Sequence, residues 1–233
     1  MISIIYEDKN FIAVNKPAGL LVHPLKAKSS KLKAEFTLVD WLLKNYPEVK
    51  GVGDDPENRP GIVHRLDKET SGVILVARNQ KFFEYLKNLF QTHQIKKTYL
   101  ALVYGRMESK AGIIEKPIGL KSGTTKRTVH LRKAKMIKEA VTEYRVKKIL
   151  KLKDRDFTLV ELIPRTGRTH QLRIHLASIG HPVVGDSLYG PKTNPLGLTR
   201  QFLHAESVEF SLPNGSRIKI EADLPEELQN VIL

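Results

Sequence analysis

The segment HRLDKETSG, residues 64–72, places one carboxylate among cations. Asp67 lies two positions after Arg65 and directly before Lys68. Neighbouring positive charges favour the ionised form of a carboxyl group, and a nucleophile or general base must be ionised to react. A single aspartate is more often a helix cap or a surface ion-pair partner. The residues alone therefore make Asp67 a candidate for catalysis and leave the structural alternative open.

A second segment, RTGRTHQLRIH at residues 165–175, concentrates groups that bind phosphate. It contains three arginines and two histidines around a glycine, Gly167, at the expected start of a helix. Arginine binds phosphate oxygens through paired hydrogen bonds, and the main-chain N–H groups of a helix start add further donors. The alternative is a solvated helix start with arginines on its wet face. For Arg165 and Arg173 the residues do not decide between the two.

Several other chemistries lack the residues that they need. The chain has no cysteine, which excludes a thiol nucleophile, a disulfide framework and thiolate metal sites. It has neither the glycine-rich loops that bind nucleotides nor the G-x-S-x-G serine elbow. Histidines without clustered carboxylates make a poor metal site, and the histidines concerned are His64, His170, His175 and His204. We expect no metal and no nucleotide cofactor.

The charge balance points to a polyanionic partner. The 233 residues include 39 Lys and Arg against 25 Asp and Glu, a net charge of +14. Residues 121–155 hold thirteen of these cations and only three acidic residues, interleaved with apolar positions as in a folded element with one wet basic face. A field of this sign attracts nucleic acid, which is the expected partner, although basic residues also serve solubility.

Strand patterns outnumber helix patterns, and several strands follow one another directly. This order predicts an α+β fold, with a mixed and largely antiparallel sheet flanked by helices and loops, in a single domain spanning residues 1–233. The expected helices are residues 37–46, capped by Thr37 with Asp40, then 80–93, 167–180 and 225–233. The expected strands are residues 1–6 and 11–17 around a turn at 7–10, then 73–79, 96–105, 156–164, 203–210 and 217–223, with a long loop at 47–60.

The N-terminus lacks the basic start and long apolar run of a secretory signal. No stretch of the chain approaches the roughly 18–20 apolar residues that a membrane span requires. We therefore expect a cytoplasmic protein that does not enter a membrane.

Five segments in order resemble the RluA-type pseudouridine synthases. The segment PGIVHRLDKETSGVILVARN, residues 60–79, is similar to the family signature H-R-L-D-x-x-T-S-G. The other four are NKPAGLLVHP at 15–24, KKTYLALVYG at 96–105, RTGRTHQLRIHLASIGHPVVGDSLYG at 165–190, and LHA at 203–205. The resemblance as a whole spans about residues 6–210. The resemblance implies the pseudouridine synthase fold and an isomerase that converts RNA uridine to pseudouridine without a cofactor.

The resemblance also implies roles for individual residues. Asp67 is the expected catalytic carboxylate, which either attacks the nucleoside or abstracts a sugar proton. Arg168 matches the basic partner of that carboxylate, and Tyr99 matches the tyrosine that stacks under the target base. Arg65 matches the side chain that helps to expel the target nucleotide from its helix. The full set of residues predicted to contact RNA is His64, Arg65, Arg165, His170, Arg173 and Leu203.

One departure from the family concerns the N-terminus. Many relatives carry a small S4-type RNA-binding domain before the catalytic one, whereas the resemblance here begins at Tyr6. We therefore expect a catalytic domain only, acting as a monomer, which selects its RNA through its own basic surface at residues 121–155. Ribosomal RNA is favoured over transfer RNA as the substrate. The alternative is an RNA-binding or RNA-folding factor with the same fold and lapsed catalysis.

Overall fold

A computed structural model describes residues 1–24, 35–124 and 126–233. The main-chain contacts divide these residues into two compact units, each made of two segments of chain. The first unit comprises Met1–Ile95 and Ser207–Asp223, and the second comprises Lys96–Glu206 and Leu224–Leu233. That residues 1–233 act as a single domain stays a prediction.

The described residues contain twelve strands and four α-helices. In chain order they are β1 (Ser3–Glu7), β2 (Phe11–Lys16), α1 (Leu38–Asn45), β3 (Ser71–Ala77), α2 (Gln80–Gln91), β4 (Lys96–Tyr104), β5 (Ala111–Glu115), β6 (Ile118–Lys121), β7 (Arg127–Thr128), β8 (Ala134–Lys138), β9 (Val141–Leu152), β10 (Arg155–Pro164), α3 (Gln171–Ser178), β11 (Leu203–Ser211), β12 (Arg217–Glu221) and α4 (Glu226–Ile232).

The first unit is built on antiparallel strands β1, β2 and β3, which pair in sequence order. Every residue of β3 is buried, as its continuous apolar run predicts. Helix α1 begins at a capping box, because the Thr37 hydroxyl accepts from the main-chain N–H of Asp40 and the Asp40 carboxylate accepts from the N–H of Thr37. The last five residues of β11 pair with β12.

The apolar face of α2 closes the core of this unit. Phe82, Phe83, Leu86 and Leu89 are buried at helical spacing, and they pack in one cluster with residues of β2 and β3. Phe11 of β2 stacks on Phe82 with ring centroids 5.0 Å apart. The core therefore fixes β2 and β3, and the segment that bears Asp67 leads directly into β3.

The second unit is an antiparallel sheet with the strand order β4-β10-β9-β5. The period-two pattern of β4 places Ala101 and Val103 in one buried cluster and Leu102 in another, so both faces of the strand are covered. Helix α3 contributes Leu172 and Leu176 to the same cluster as Ala101. A smaller sheet, ordered β7-β6-β8, lies within the same unit.

The predicted α+β class with a largely antiparallel sheet is confirmed. One local prediction was wrong in detail. Helix α3 begins at Gln171 rather than at residue 167, because residues 165–170 lie in bends and turns and His170 adopts a left-handed φ of 56°. The expected loop at residues 47–60 is observed, with one 3-10 turn at Pro47–Val49. Strands β5 to β9 were not predicted.

In the part of the chain that the structure describes, no helix is both long and apolar enough to cross a membrane.

Gly61 provides a test of how the segment before Asp67 is fixed. Its φ is +68°, and a Cβ at this position would lie 2.5 Å from the carbonyl oxygen of Ala77 and 2.8 Å from a methyl carbon of Val76. Gly61→Ala should therefore lower the free energy of unfolding by about 1–3 kcal/mol more than Gly123→Ala, measured by urea denaturation. Gly123 is the matched control because its φ is +73° and its Cβ would meet nothing within 4 Å. Equal destabilisation of the two variants would contradict this packing.

Candidate active site

Asp67 lies in a turn directly before strand β3. The main-chain N–H of Thr70 donates to the carbonyl of Asp67 at 3.1 Å, which closes the turn. Leu66 is buried just before it, and Thr70 and Ser71 are buried just after it. The Asp67 side chain is half-buried. Both ends of the turn are therefore fixed in the first unit, while Asp67 itself stays partly exposed.

The buried ammonium group of Lys16 anchors this turn. Lys16 is fully buried at the end of β2, and its Nζ donates to the carbonyls of Pro17, Leu20 and Lys68 at 2.7–3.0 Å. The N–H of Gly19 donates to the same Lys68 carbonyl at 2.9 Å. A buried cation requires such partners, so the loop after β2 and the turn after Asp67 are tied to one group.

The two residues predicted to contact RNA before Asp67 lie in different environments. Arg65 is exposed, as a residue that reaches into RNA must be. His64 is half-buried, and its Nε2 accepts a hydrogen bond from the N–H of Leu75 at 2.8 Å while its ring stacks on Phe90. The proton of neutral His64 is therefore on Nδ1, and the ring supports strand β3.

Tyr99 and Leu203 belong to the same cluster in the second unit. Tyr99 is partly buried on β4, opposite Leu162 of β10, and Leu203 is 3% exposed at the start of β11. Lys97, which the sequence did not single out, lies two residues before Tyr99 on the same face of β4. Burial lowers the pKa of its ammonium group to about 8. Its pattern in the sequence is that of an ordinary strand lysine.

Arg168 is held at both its main chain and its guanidinium group. Its N–H donates to the Oε1 of Gln171 at 3.0 Å, and its Nε donates to the carbonyl of Glu139 at 2.9 Å. The described residues offer no further hydrogen bond to its two terminal nitrogens. A guanidinium group fixed through Nε keeps the pair of donors that binds a carboxylate or a phosphate side-on.

The amide of Gln171 makes four hydrogen bonds. Its Oε1 accepts from the Thr166 hydroxyl and the Arg168 N–H, and its Nε2 donates to the Val141 carbonyl and the Thr142 hydroxyl, each at 2.7–3.0 Å. The sequence analysis assigned no role to this glutamine. The signal available was its position inside the segment that resembles the catalytic block.

His175 continues this network into the interior. Its Nε2 lies 2.9 Å from the Lys116 carbonyl and its Nδ1 lies 2.9 Å from the Thr142 hydroxyl. A carbonyl can only accept, so the proton is on Nε2 and the Thr142 hydroxyl donates to Nδ1. Burial lowers the pKa of His175; its hydrogen bond to the Lys116 carbonyl opposes this shift, and the Lys116 ammonium reinforces it.

Arg173 forms a buried ion pair. Its Nε and one terminal nitrogen donate to the two carboxylate oxygens of Asp186 at 2.6 and 2.8 Å, and its side chain is 6% exposed. Burial alone raises the pKa of the Asp186 carboxyl, but the hydrogen bonds and charge of Arg173 outweigh this effect and lower it. The guanidinium group also lies over the ring of Tyr189. These contacts bury Arg173 beside Asp186 and so support a structural role; that it contacts RNA stays a prediction.

The remaining predicted residues lie between strand β10 and helix α3. Arg165 is exposed and pairs with Glu143 at 2.6 Å. His170 is half-buried, and its Nδ1 lies 3.0 Å from the hydroxyl of Tyr189. Within residues 1–24, 35–124 and 126–233, no three His, Asp or Glu side chains are grouped so that they could hold a metal ion.

Comparison with solved structures places this fold among the RNA pseudouridylate synthases. The structure of human RNA pseudouridylate synthase domain containing 1 matches 99% of this chain and 87% of its own, with a TM-score of 0.79 and 26% identity. The structure of human RNA pseudouridylate synthase domain containing 4 matches 98% of this chain and 91% of its own, with a TM-score of 0.72 and 27% identity.

The sequence defines the family. Residues 10–178 match the family model described as RNA pseudouridylate synthase. The chain therefore belongs to the RNA pseudouridylate synthase family, whose members are isomerases that convert uridine to pseudouridine in RNA. The recognition made from the HRLDKETSG segment and its companions is confirmed, as is the predicted enzyme class.

Curated relatives agree with this assignment. An uncharacterized RNA pseudouridine synthase of Bacillus subtilis is 37% identical over 99% of this chain and 72% of its own length. The ribosomal large subunit pseudouridine synthase D of Borreliella burgdorferi is 37% identical over 96% of this chain, which spans 65% of that relative. The enzyme of the same name from Yersinia pestis is 36% identical over 99% of this chain and 70% of its own.

The neutral state of His175 predicts how stability depends on pH. The unfolded chain binds a proton near the ordinary histidine pKa of 6.5, whereas the folded chain resists it because the pKa of His175 is lowered. The stabilisation from this group is fully present above the ordinary pKa of 6.5. It is lost as the pH falls from there through the lowered pKa of the folded state. Urea unfolding of the wild type and His175→Gln, measured from about pH 8 to about pH 5, should show the wild type losing more stability in acid.

A control is Thr158→Val, which removes a fully buried hydrogen-bonding group that does not titrate. Its free energy of unfolding should follow that of the wild type in parallel across the same pH range. A wild type and a His175→Gln variant that run in parallel instead would contradict the neutral, buried imidazole.

Proposed function

We propose that this chain isomerises specific uridines in a structured RNA, using Asp67 as the catalytic carboxylate. The observation that carries the proposal is the HRLDKETSG turn, which lies inside the family match and presents a half-buried aspartate from a main-chain framework fixed by Lys16. Several relatives are named as ribosomal large subunit pseudouridine synthases, which supports ribosomal RNA over transfer RNA as the substrate. We further propose that the protein is a cytoplasmic monomer.

The reaction requires that one bond is exchanged for another with no net change of composition. The bond between uracil N1 and ribose C1′ breaks, the base turns within the pocket, and C5 joins C1′. The proton on C5 leaves, and N1 takes up a proton. Ionised Asp67 either attacks the nucleoside or removes a sugar proton to start the sequence. No redox step or transferred group is involved, which agrees with the absence of cysteine.

The other proposed residues suit the roles that the family resemblance implies. The paired terminal nitrogens of Arg168 suit a bidentate contact with a carboxylate or phosphate, and the resemblance implies that Arg168 is the basic partner of the catalytic carboxylate. Tyr99 offers an aromatic face for the target base, packed in the same cluster as Leu203. Exposed Arg65 is suited to help expel the nucleotide and to fill the gap that it leaves.

A basic surface on the small sheet is suited to hold the RNA. We define this basic surface as Lys121, Lys126, Arg132, Lys135 and Lys138, all of which are exposed. None of these side chains forms an ion pair with another residue that the structure describes. Unpaired surface cations gain most from phosphate contacts, because no internal partner has to be displaced. Met136 and Ile137 are exposed between Lys135 and Lys138, so apolar contact with unpaired bases is available beside the charge.

Asp67→Asn provides the direct test of the proposed reaction. RNA labelled with tritium at uracil C5 should release the label to water with the wild type, because the C5 proton is lost on isomerisation. The variant should release it at least about 10²–10⁴-fold more slowly, since the amide is neither nucleophile nor base. RNA binding, measured by filter retention, should be preserved in the variant.

The matched control is Asp54→Asn, which removes an exposed carboxylate that pairs with Lys87 on the surface of the same unit. Its rate should equal that of the wild type. If the wild type binds RNA but releases no label from any cellular RNA, the protein is a binding factor rather than an enzyme. Mapping pseudouridines in total RNA with and without the protein then names the substrate.

The basic surface yields a separate prediction about binding. A Lys135→Gln, Lys138→Gln double variant should weaken RNA binding about tenfold at moderate salt, and it should reduce the slope of log affinity against log salt by about one for each phosphate that is no longer neutralised. Turnover at saturating RNA should be unchanged. The control is Lys44→Gln, Lys50→Gln, which removes the same charge from exposed positions in the first unit. Equal salt slopes for the two double variants would exclude the basic surface from RNA binding.

A further inference from the structure

The turn that carries Arg168 is fastened to one short stretch of β-structure. The Val141 carbonyl at the start of β9 accepts from the N–H of Arg165 and from the Nε2 of Gln171, and the Val141 N–H donates to the Thr166 hydroxyl. The carbonyl of Glu139, two residues earlier, accepts from the Nε of Arg168. The guanidinium group of Arg168 is thus held directly by residue 139, and its main chain is held through Gln171 by residues 141 and 142.

Gln171 is the side chain that joins these contacts. All four hydrogen-bonding positions of its amide are used, two as acceptor and two as donor. Turning the amide over would set its NH₂ against the Arg168 N–H and its oxygen against the Val141 carbonyl. Its orientation is therefore fixed, and neither a carboxylate nor an apolar side chain could replace it. Gln171 is 4% exposed, so water does not substitute for these partners.

The direction of the hydrogen bonds is set from the interior outward. The Lys116 carbonyl fixes the proton of His175 on Nε2, which makes Nδ1 an acceptor for the Thr142 hydroxyl. Thr142 must then accept from Gln171, which leaves the amide oxygen to face Arg168. His175, Thr142 and Gln171 are each less than 5% exposed, so this chain of hydrogen bonds lies in a low-dielectric interior.

We propose that Gln171 is a positioning residue for the reaction, which holds Arg168 in its reactive orientation through the buried chain that runs from His175 by way of Thr142. Gln171 does not contact the substrate in this scheme. It fixes the main chain of the arginine, while the Glu139 carbonyl fixes the guanidinium group. The inference rests on the role proposed above for Arg168.

The chain of hydrogen bonds predicts a particular kinetic signature. Misplacing a charge partner by a fraction of an ångström affects the transition state more than RNA binding. Gln171→Leu should therefore lower kcat about tenfold to a hundredfold, with KM within about twofold of the wild type. Thr142→Val, which acts one hydrogen bond further away, should lower kcat by a smaller factor.

Thr158→Val is the matched control for Thr142→Val. Thr142 and Thr158 are both fully buried, on the adjacent strands β9 and β10, and each hydroxyl is held at both ends. The Thr158 hydroxyl donates to the Gly105 carbonyl and accepts from the Met107 N–H, with no link to Arg168. The two variants should lower the urea midpoint similarly, but only Thr142→Val should lower kcat.

A double-variant cycle tests whether Gln171 acts through Arg168. Arg168→Ala should lose most turnover, and Gln171→Leu should cause little further loss in that background. If Gln171→Leu lowers kcat by the same factor with and without Arg168, the positioning role is overturned. It is also overturned if Thr142→Val and Gln171→Leu lower kcat no more than Thr158→Val does at an equal folded fraction.

These outcomes separate the inference from the proposed function. A wild type that releases no tritium overturns both. Full turnover in Arg168→Ala removes the arginine from the reaction and the positioning role with it, while loss of turnover in Asp67→Asn still supports the enzyme. An inactive Arg168→Ala beside a fully active Gln171→Leu overturns the positioning role alone.

Discussion

A buried polar group must find partners, and this constraint fixes both segments proposed to carry out the reaction. The ammonium group of Lys16 is fully buried and gathers three carbonyls, one of them from the turn that carries Asp67. Leaving such a charge unsatisfied would cost several kcal/mol. The amide of Gln171 imposes the same condition on the turn that carries Arg168. In each unit, the geometry of a surface turn therefore follows from one interior side chain bonded to main-chain atoms.

Much of the fold follows from local patterns in the sequence. The capping box at Thr37, the apolar face of α2 and the alternation along β4 each predict the element observed. Strands β5 to β9 were not predicted, and β8 shows one reason, because exposure of its residues erases the pattern on which recognition depends. Four of the five residues of β8 are exposed, including Met136 and Ile137, so its apolar positions do not alternate with polar ones.

The candidate active site shows more clearly what sequence patterns cannot predict. Arg165, Arg168 and Arg173 lie within nine residues of one another, and composition treats them alike. Their environments are set by partners distant in the sequence: a surface carboxylate at Glu143, the Glu139 carbonyl, and the buried carboxylate of Asp186. No periodicity encodes which partner each arginine meets. Family resemblance singled out Arg168, whereas the burial of Arg173 required tertiary structure.

The contacts that orient Arg168 use the main chain of residues 139 and 141 and not their side chains. Substitutions at Glu139 and Val141 therefore leave the anchoring atoms in place. The neighbouring strand β8 supplies Lys135 and Lys138 to the basic surface, and its side chains make none of these anchoring contacts. Recognition of a new RNA could thus evolve by changing side chains on the small sheet while the chemistry stays constant. One scaffold could in this way supply enzymes with different targets and the same reaction.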